Sequence, residues 1–510
     1  MANTAGDGAA NRPVANEPSR GFFTPLRFEA DVHDCEVEGE IPAALRGNFY
    51  RSCLDRRYPA IYADDTPYNA DGAVDLFRFA DGHVDFRTRY IRTARYEAEA
   101  AARRALFGKY RNRGTSDPQV RQLSHNTGNT TPMVHHGLLF SMKEDSPPMA
   151  LDPQTLETLG EWDFHGQMRA KTFTAHPKID PATGEMIAFA YEARGDATDD
   201  LAVFIFDAQG KLKREWWFKA PLVSMMHDMA ITDRHIILPT TGVTTSRERL
   251  DAGLIHWTYD RSLPTHVAII PRDGDVKDIR WFRGTPDQNM LAHTTNAWSE
   301  GDRVIVEAPV AANNFHPYFP NTDGSAFDVA GVSPTMRRWT FDLSSREEGW
   351  REEILFGGQR GTSMVRIDDR YIGQRFRYSY MLMVDPSLPF DRERGGNLSV
   401  RVANAIWRFD HDTGRHDRLS AGTTHGLSEA QFVPARPDAP EGEGYLLTVA
   451  NDFSEMRSEL VIADAMHLEQ GPLARVKLPF RLHTQVHGWW EPAAATPAAA
   501  PGGAIQATRG

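Results

Sequence analysis

Four histidines stand in short, sharply marked settings: Thr174-Ala-His176-Pro-Lys-Ile-Asp180, Met226-His227-Asp228-Met, Leu291-Ala-His293-Thr-Thr-Asn-Ala-Trp298 and Gln485-Val-His487-Gly-Trp-Trp490. Imidazole is the commonest metal ligand, and four imidazoles from distant segments can share one ion only if a closed fold brings them to a point. Taken singly, each is more often a hydrogen-bonded core or surface histidine than a ligand, as His135, His136, His316 and His425 illustrate. Pro177 and Gly488 restrict and loosen the backbone beside two of the four, and Asp228 and Asn296 put polar neighbours beside the others.

The elements that must position them are short β-rich runs closed by Asp turns, as in Leu76 to Phe86 and Ala202 to Lys211. Similar turns recur at Asp152, Asp342, Asp410 and Asp464, roughly 55 to 75 residues apart with one interval near twice that, which suits propeller blades of four or five strands. On this spacing the histidines are one blade, one blade and about three blades apart, each on a different inner strand facing the axis. The Ala-rich stretch from Arg95 to Tyr110 predicts a helix lying over one face. The expected architecture is an all-β propeller with a helix-and-loop cap, occupying residues 21–490 as one domain. Residues 1–20 and the Ala/Pro/Gly segment 491–510 are expected to be tails outside it.

The 510 residues are 41% hydrophobic, enough for a large core, and a net charge of −12 without a basic stripe argues against nucleic acid as a partner. No apolar stretch is long enough to span a membrane, and the first residues lack the pattern of a secretory signal. Two cysteines, Cys35 and Cys53, are too few for a disulfide framework and fit a reducing, cytoplasmic setting.

The four histidine segments, in order and context, resemble the ligand motifs of the carotenoid cleavage oxygenase family, and the likeness runs from about Leu26 to Trp490. The resemblance implies a seven-bladed propeller whose axial Fe(2+) is held by His176, His227, His293 and His487. Four neutral imidazoles leave a ferrous ion its charge and open positions for dioxygen, whereas zinc sites more often use three protein ligands and water. The family sets three glutamates behind its histidines; Glu144 and Glu429 match two, and Ser363 stands in the segment where the third is expected. Tyr110 and Lys143 resemble the pair by which the lignostilbene and isoeugenol oxygenase branch holds a phenolic hydroxyl. An ammonium lowers the pKa of a nearby phenol and drives electron density into the para alkene.

The implied activity is cleavage by O2 of the side-chain double bond of para-hydroxylated stilbenes or phenylpropenes, giving 4-hydroxybenzaldehydes such as vanillin. Trp298 and Phe315 are candidate walls of a substrate tunnel. The alternatives are an apocarotenoid cleavage oxygenase, with a long apolar tunnel in place of the phenol clamp, and a metal-free propeller acting as a binding module. The sequence leaves the oligomeric state open, a homodimer among its forms.

Overall fold

Runs of alternating apolar and polar residues, each stopped by an Asp turn, fold as antiparallel strands that bury one face or both. The structure, a computed structural model, describes residues 22, 24–288, 290–291, 293–328, 334–356, 360–399 and 402–493, with the side chains of 290, 291, 360, 362 and 363 outside the description. Seven antiparallel sheets of four or more strands make the blades of a propeller. Blade one joins both ends of the chain: its inner strand is Thr484–Pro492, followed outward by Gly47–Asp55, Asp71–Ala80, His83–Tyr90 and Ala30–Val32. The inner strand thus runs two residues into the segment expected to be tail, and Glu491 accepts hydrogen bonds from Tyr50 Oη and Asn48. Blades two to six occupy 131–161, 178–219, 230–283, 296–356 and 360–419; blade seven occupies 425–477 and takes Glu36–Gly39 as its outer edge.

The Asp turns mark the corner between third and fourth strands in all seven blades. At Asp152, Asp207, Asp342, Asp410 and Asp464 the carboxylate accepts N–H groups from the residues that follow, so the turn satisfies its own backbone. The doubled interval between Asp207 and Asp342 contains the corner of blade four, Pro271-Arg-Asp273-Gly274. Apolar side chains from adjacent blades fill the space between them, as where Phe49 and Phe77 meet Val449 and Leu460.

In a four-stranded blade the third-to-fourth corners share one face of the ring, and the second-to-third loops and the connections between blades share the other. The short turns therefore lie on one face and the long segments on the opposite one. Residues 91–130, an insertion at 240–265 in blade four and another at 312–328 in blade five form a cap. Asn112 donates to Leu250 O and Leu254 O, His256 Nδ1 lies 3.0 Å from Arg111 O, and Tyr259 bridges to Asn321. The cap helix spans Ala94–Ala102, shorter than expected. Thr93 caps its start, Arg103 enters the left-handed region at φ 54°, and residues 104–110 run as a loop whose Leu106 and Phe107 N–H groups are held by Glu99 Oε1. Among the described residues no helix is long and apolar enough to cross a membrane.

Candidate metal centre

Three connections between blades and one inner strand each deliver a histidine to the axis. His176, His227 and His293 lie just before the inner strands Lys178–Ile179, Ala230–Ile231 and Asn296–Glu300, and His487 lies within Thr484–Pro492. Ring centroids of neighbouring histidines are 4.6 to 5.0 Å apart, and His176 Nε2 is 3.2 Å from His227 Nε2. Ligand atoms of His176, His293 and His487 all lie within 4.8 Å of one another. Two nitrogens bound to one ion at about 2.1 Å and near a right angle sit about 3 Å apart, so the 3.2 Å separation suits adjacent ligands of a metal. Burial and the three surrounding imidazoles hold His176 well below the usual histidine range, in the neutral form that a metal needs.

Carboxylates fix the ring orientations. His227 Nδ1 is 2.7 Å from Glu144 Oε2, and His487 Nδ1 is 2.9 Å from Glu429 Oε1, whose other oxygen accepts the Gly488 N–H. With Nδ1 donating to a carboxylate, each ring presents the Nε2 lone pair inward. Burial raises both carboxyls, yet the neighbouring histidines, with Arg111 at Glu144 and Arg366 and Arg51 at Glu429, outweigh it and hold each near about 2. Burial also opposes the charge on His227, but Glu144 prevails and raises its pKa. The side chain of Ser363 lies outside the described residues.

Two further groups brace the centre. Asp228 Oδ1 accepts from Lys178 Nζ at 2.8 Å and from Met229 N, while Oδ2 accepts from Thr294 N at 2.7 Å and Thr294 Oγ1 at 3.0 Å. One carboxylate therefore ties together the segments bearing His176, His227 and His293. The sequence marks Asp228 only as a polar neighbour; its partners come from two other blades. Arg51, fully buried, donates to Glu429 O and Val486 O and lies 3.7 Å from Glu429 Oε2, holding the His487 strand to its carboxylate. Nothing in the local sequence singles it out. A cavity of about 90 Å³ lies against His176, His293, His487, Asp228, Arg366 and Glu429.

Tyr110 and Lys143 meet beside this centre. Lys143 is 2% exposed, which excludes a surface ion pair; its Nζ is 2.6 Å from Tyr68 O and 4.7 Å from the centroid of the Tyr110 ring. Burial pulls its ammonium down to about 8. The Tyr110 hydroxyl donates to Glu144 Oε1 at 3.2 Å, and burial together with that carboxylate raises its pKa well above the usual value. Glu144 thus links Tyr110 through one oxygen to His227 through the other.

Phe315 lies on the same side: it stacks on His316 at 4.5 Å and packs on the cluster that contains Tyr110 and Phe319. Trp298 does not. It packs with Ile305, Ile367 and Phe376 and lines an open cleft of about 750 Å³ with Glu307 and His411. Asn296, the first residue of its strand, still lines the cavity beside the histidines, and the strand leads away from there at about 3.3 Å per residue, which carries Trp298 about 7 Å further down the blade.

A family model described as RPE65, retinal pigment epithelial membrane protein, matches residues 23–492. The chain is 40% identical to lignostilbene-alpha,beta-dioxygenase isozyme III of Sphingomonas paucimobilis, over 94% of this chain and 98% of that one. It is 39% identical to isoeugenol monooxygenase of Pseudomonas putida, over 93% and 98% of the two chains. The crystal structure of Pseudomonas brassicacearum lignostilbene dioxygenase superimposes with a TM-score of 0.90 at 39% identity, covering 94% of this chain and 99% of that one.

Proposed function

The chain belongs to the RPE65 family of carotenoid cleavage oxygenases, and from that membership we propose that it is an iron(II) oxygenase cleaving the side-chain double bond of para-hydroxylated stilbenes or phenylpropenes. His176, His227, His293 and His487 would hold the ion. The neutral ring of His176 and the close approach of the four imidazoles fit it, and among the described residues no carboxylate joins the ligand atoms of His176, His293 and His487. Bound there, iron(II) supplies the activation of dioxygen.

The observation that carries the substrate class is the contiguity of Lys143, Tyr110, Glu144 and His227. With its hydrogen committed to Glu144, Tyr110 Oη offers a lone pair to a phenol O–H. Lys143 Nζ then stabilises negative charge on the same phenol oxygen, raising electron density at the para alkene, while the cap excludes water from the pair. An apolar polyene would leave a buried ammonium facing hydrocarbon, which costs several kcal/mol. The alkene carbons leave as two carbonyls, one of them a 4-hydroxybenzaldehyde, which is vanillin when the ring carries a 3-methoxy group. The carotenoid and metal-free readings lack a role for this pair.

The test is anaerobic loading with iron(II) followed by aerobic incubation with resveratrol, isoeugenol, 4-vinylguaiacol, an apocarotenal and the 4-O-methyl ethers of the phenols, with products identified by mass. Free phenols should yield aldehydes and their ethers should not. Turnover of the apocarotenal alone, or equal turnover of phenols and ethers, would overturn the reading.

A further inference from the structure

A second group of metal-ligating side chains lies in blade one, away from the four histidines. Cys53 on the strand Gly47–Asp55, Asp75 on Asp71–Ala80 and His483 just before Thr484–Pro492 are all buried, and a ligand atom from each lies within 4.8 Å of the others. Cys53 Sγ is 3.1 Å from Asp75 Oδ2. Among the described residues, Asp75 Oδ1 and both ring nitrogens of His483 have no hydrogen-bond partner, although His483 is only 2% exposed. The carboxylate nearest that ring, Asp55 Oδ2, is 3.9 Å away and already accepts from Arg27 N and Tyr90 Oη. Leaving so many buried polar atoms unsatisfied is costly, and an ion among them removes the cost. The strand pairing shifts register between Arg51 and Cys53, which opens the ladder at this point.

We propose that Cys53, Asp75 and His483 form a second divalent-cation site, of the zinc type and separate from the oxygen chemistry. A thiolate, an imidazole and a carboxylate are the donor set that a borderline-soft ion such as Zn(2+) prefers. Thiolate and carboxylate together balance the ion's two charges, which suits a site with no access to solvent. Binding breaks the S–H bond of Cys53, forms the metal–sulfur bond and releases one proton.

The ion's place explains its use. Cys53 lies in one of the two paired strands of blade one and His483 immediately precedes the other, so the ion would cross-link the start of the closing strand to its neighbour. The same spot is tied to the first centre through Gln485. Its Nε2 donates to Asp75 and Cys53, its Oε1 accepts from Arg51 Nε, and Arg51 in turn holds Glu429 behind His487.

The experiment is expression in cobalt-supplemented minimal medium, so that the ion is present while the strand docks, followed by metal analysis and absorption spectroscopy of the intact protein. Two cobalt ions per chain and a near-ultraviolet thiolate-to-cobalt charge-transfer band are expected, a signature that a four-imidazole site cannot produce. Cys53→Ser should lose the band and one ion; His483→Gln, which keeps the thiol, should lose the ion too and guards against a folding defect in the first variant. Protein made with zinc should melt at a higher temperature than protein made with chelator, with a smaller gain in both variants, which keep only the four-histidine centre. A single cobalt ion per chain without the band, in soluble wild-type protein, would overturn the site.

Discussion

Asp228→Asn isolates the brace behind the histidines. The carboxylate faces donors on both sides: Lys178 Nζ and Met229 N at one oxygen, Thr294 N and Oγ1 at the other. An amide of the same shape has one acceptor oxygen, so whichever way it turns, its NH2 group meets a donor. The loss is then about one charge-assisted hydrogen bond, about 1.5 to 3 kcal/mol, at a residue 2% exposed. Part of it will appear as lower stability. The rest will appear as freedom for the His176 and His293 segments, which the ion must then re-order on binding. At 1.4 kcal/mol per factor of ten, iron affinity should fall by up to about a hundredfold, less whatever share appears as lower stability. Anaerobic iron(II) titration against a chelator of known affinity, alongside denaturant unfolding of the metal-free protein, separates the two shares. Unchanged affinity and unchanged stability in Asp228→Asn would refute the brace.

His176→Ala should be purified without stoichiometric iron yet fold, checked by metal analysis and circular dichroism. Lys143→Met should lower kcat/KM for phenolic alkenes by about a hundredfold, the worth of one buried charged contact. Because burial lowers the Lys143 ammonium to about 8, the cation is present below that pH, so wild-type kcat/KM should fall as pH rises through about 8 and the variant should lack that limb. Glu144 and Glu429 titrate near about 2 when folded against an ordinary 4.5, so the stability they confer is complete above about 4.5 and is lost as pH falls toward 2. Denaturant midpoints across that range should flatten in a Glu144→Gln/Glu429→Gln protein; an unchanged slope would count against the assignment.

Much of this was legible in the chain because its signals are local. An Asp turn carries its own hydrogen bonds, so it appears in sequence wherever a third strand ends, and histidine spacing then counts blades. Blade four escaped only because its corner is spelled Pro271-Arg-Asp273-Gly274. What could not be read depends on contacts between blades. Asp228 is one acid among many until Lys178 and Thr294 are seen around it, and Arg51 is an ordinary strand arginine until it meets Glu429. Tyr110 was expected to donate its hydroxyl hydrogen to the substrate; it donates it to Glu144 Oε1, a partner set by the docking of the cap, and keeps a lone pair for the phenol. Trp298 shows the converse error, since proximity to His293 in sequence becomes distance along an extended strand.

The pairing of Thr484–Pro492 with Gly47–Asp55 has a consequence for how the protein is made. During synthesis three of the four histidines emerge while the fourth is still untranslated, and the first blade waits throughout with an open edge. Such long-range closure is slow and leaves exposed strand edges in the meantime. Metal capture with full affinity must wait until Thr484–Pro492 has emerged and docked, so a chain terminated anywhere between His293 and His487 would carry three histidines without a closed ring to hold them.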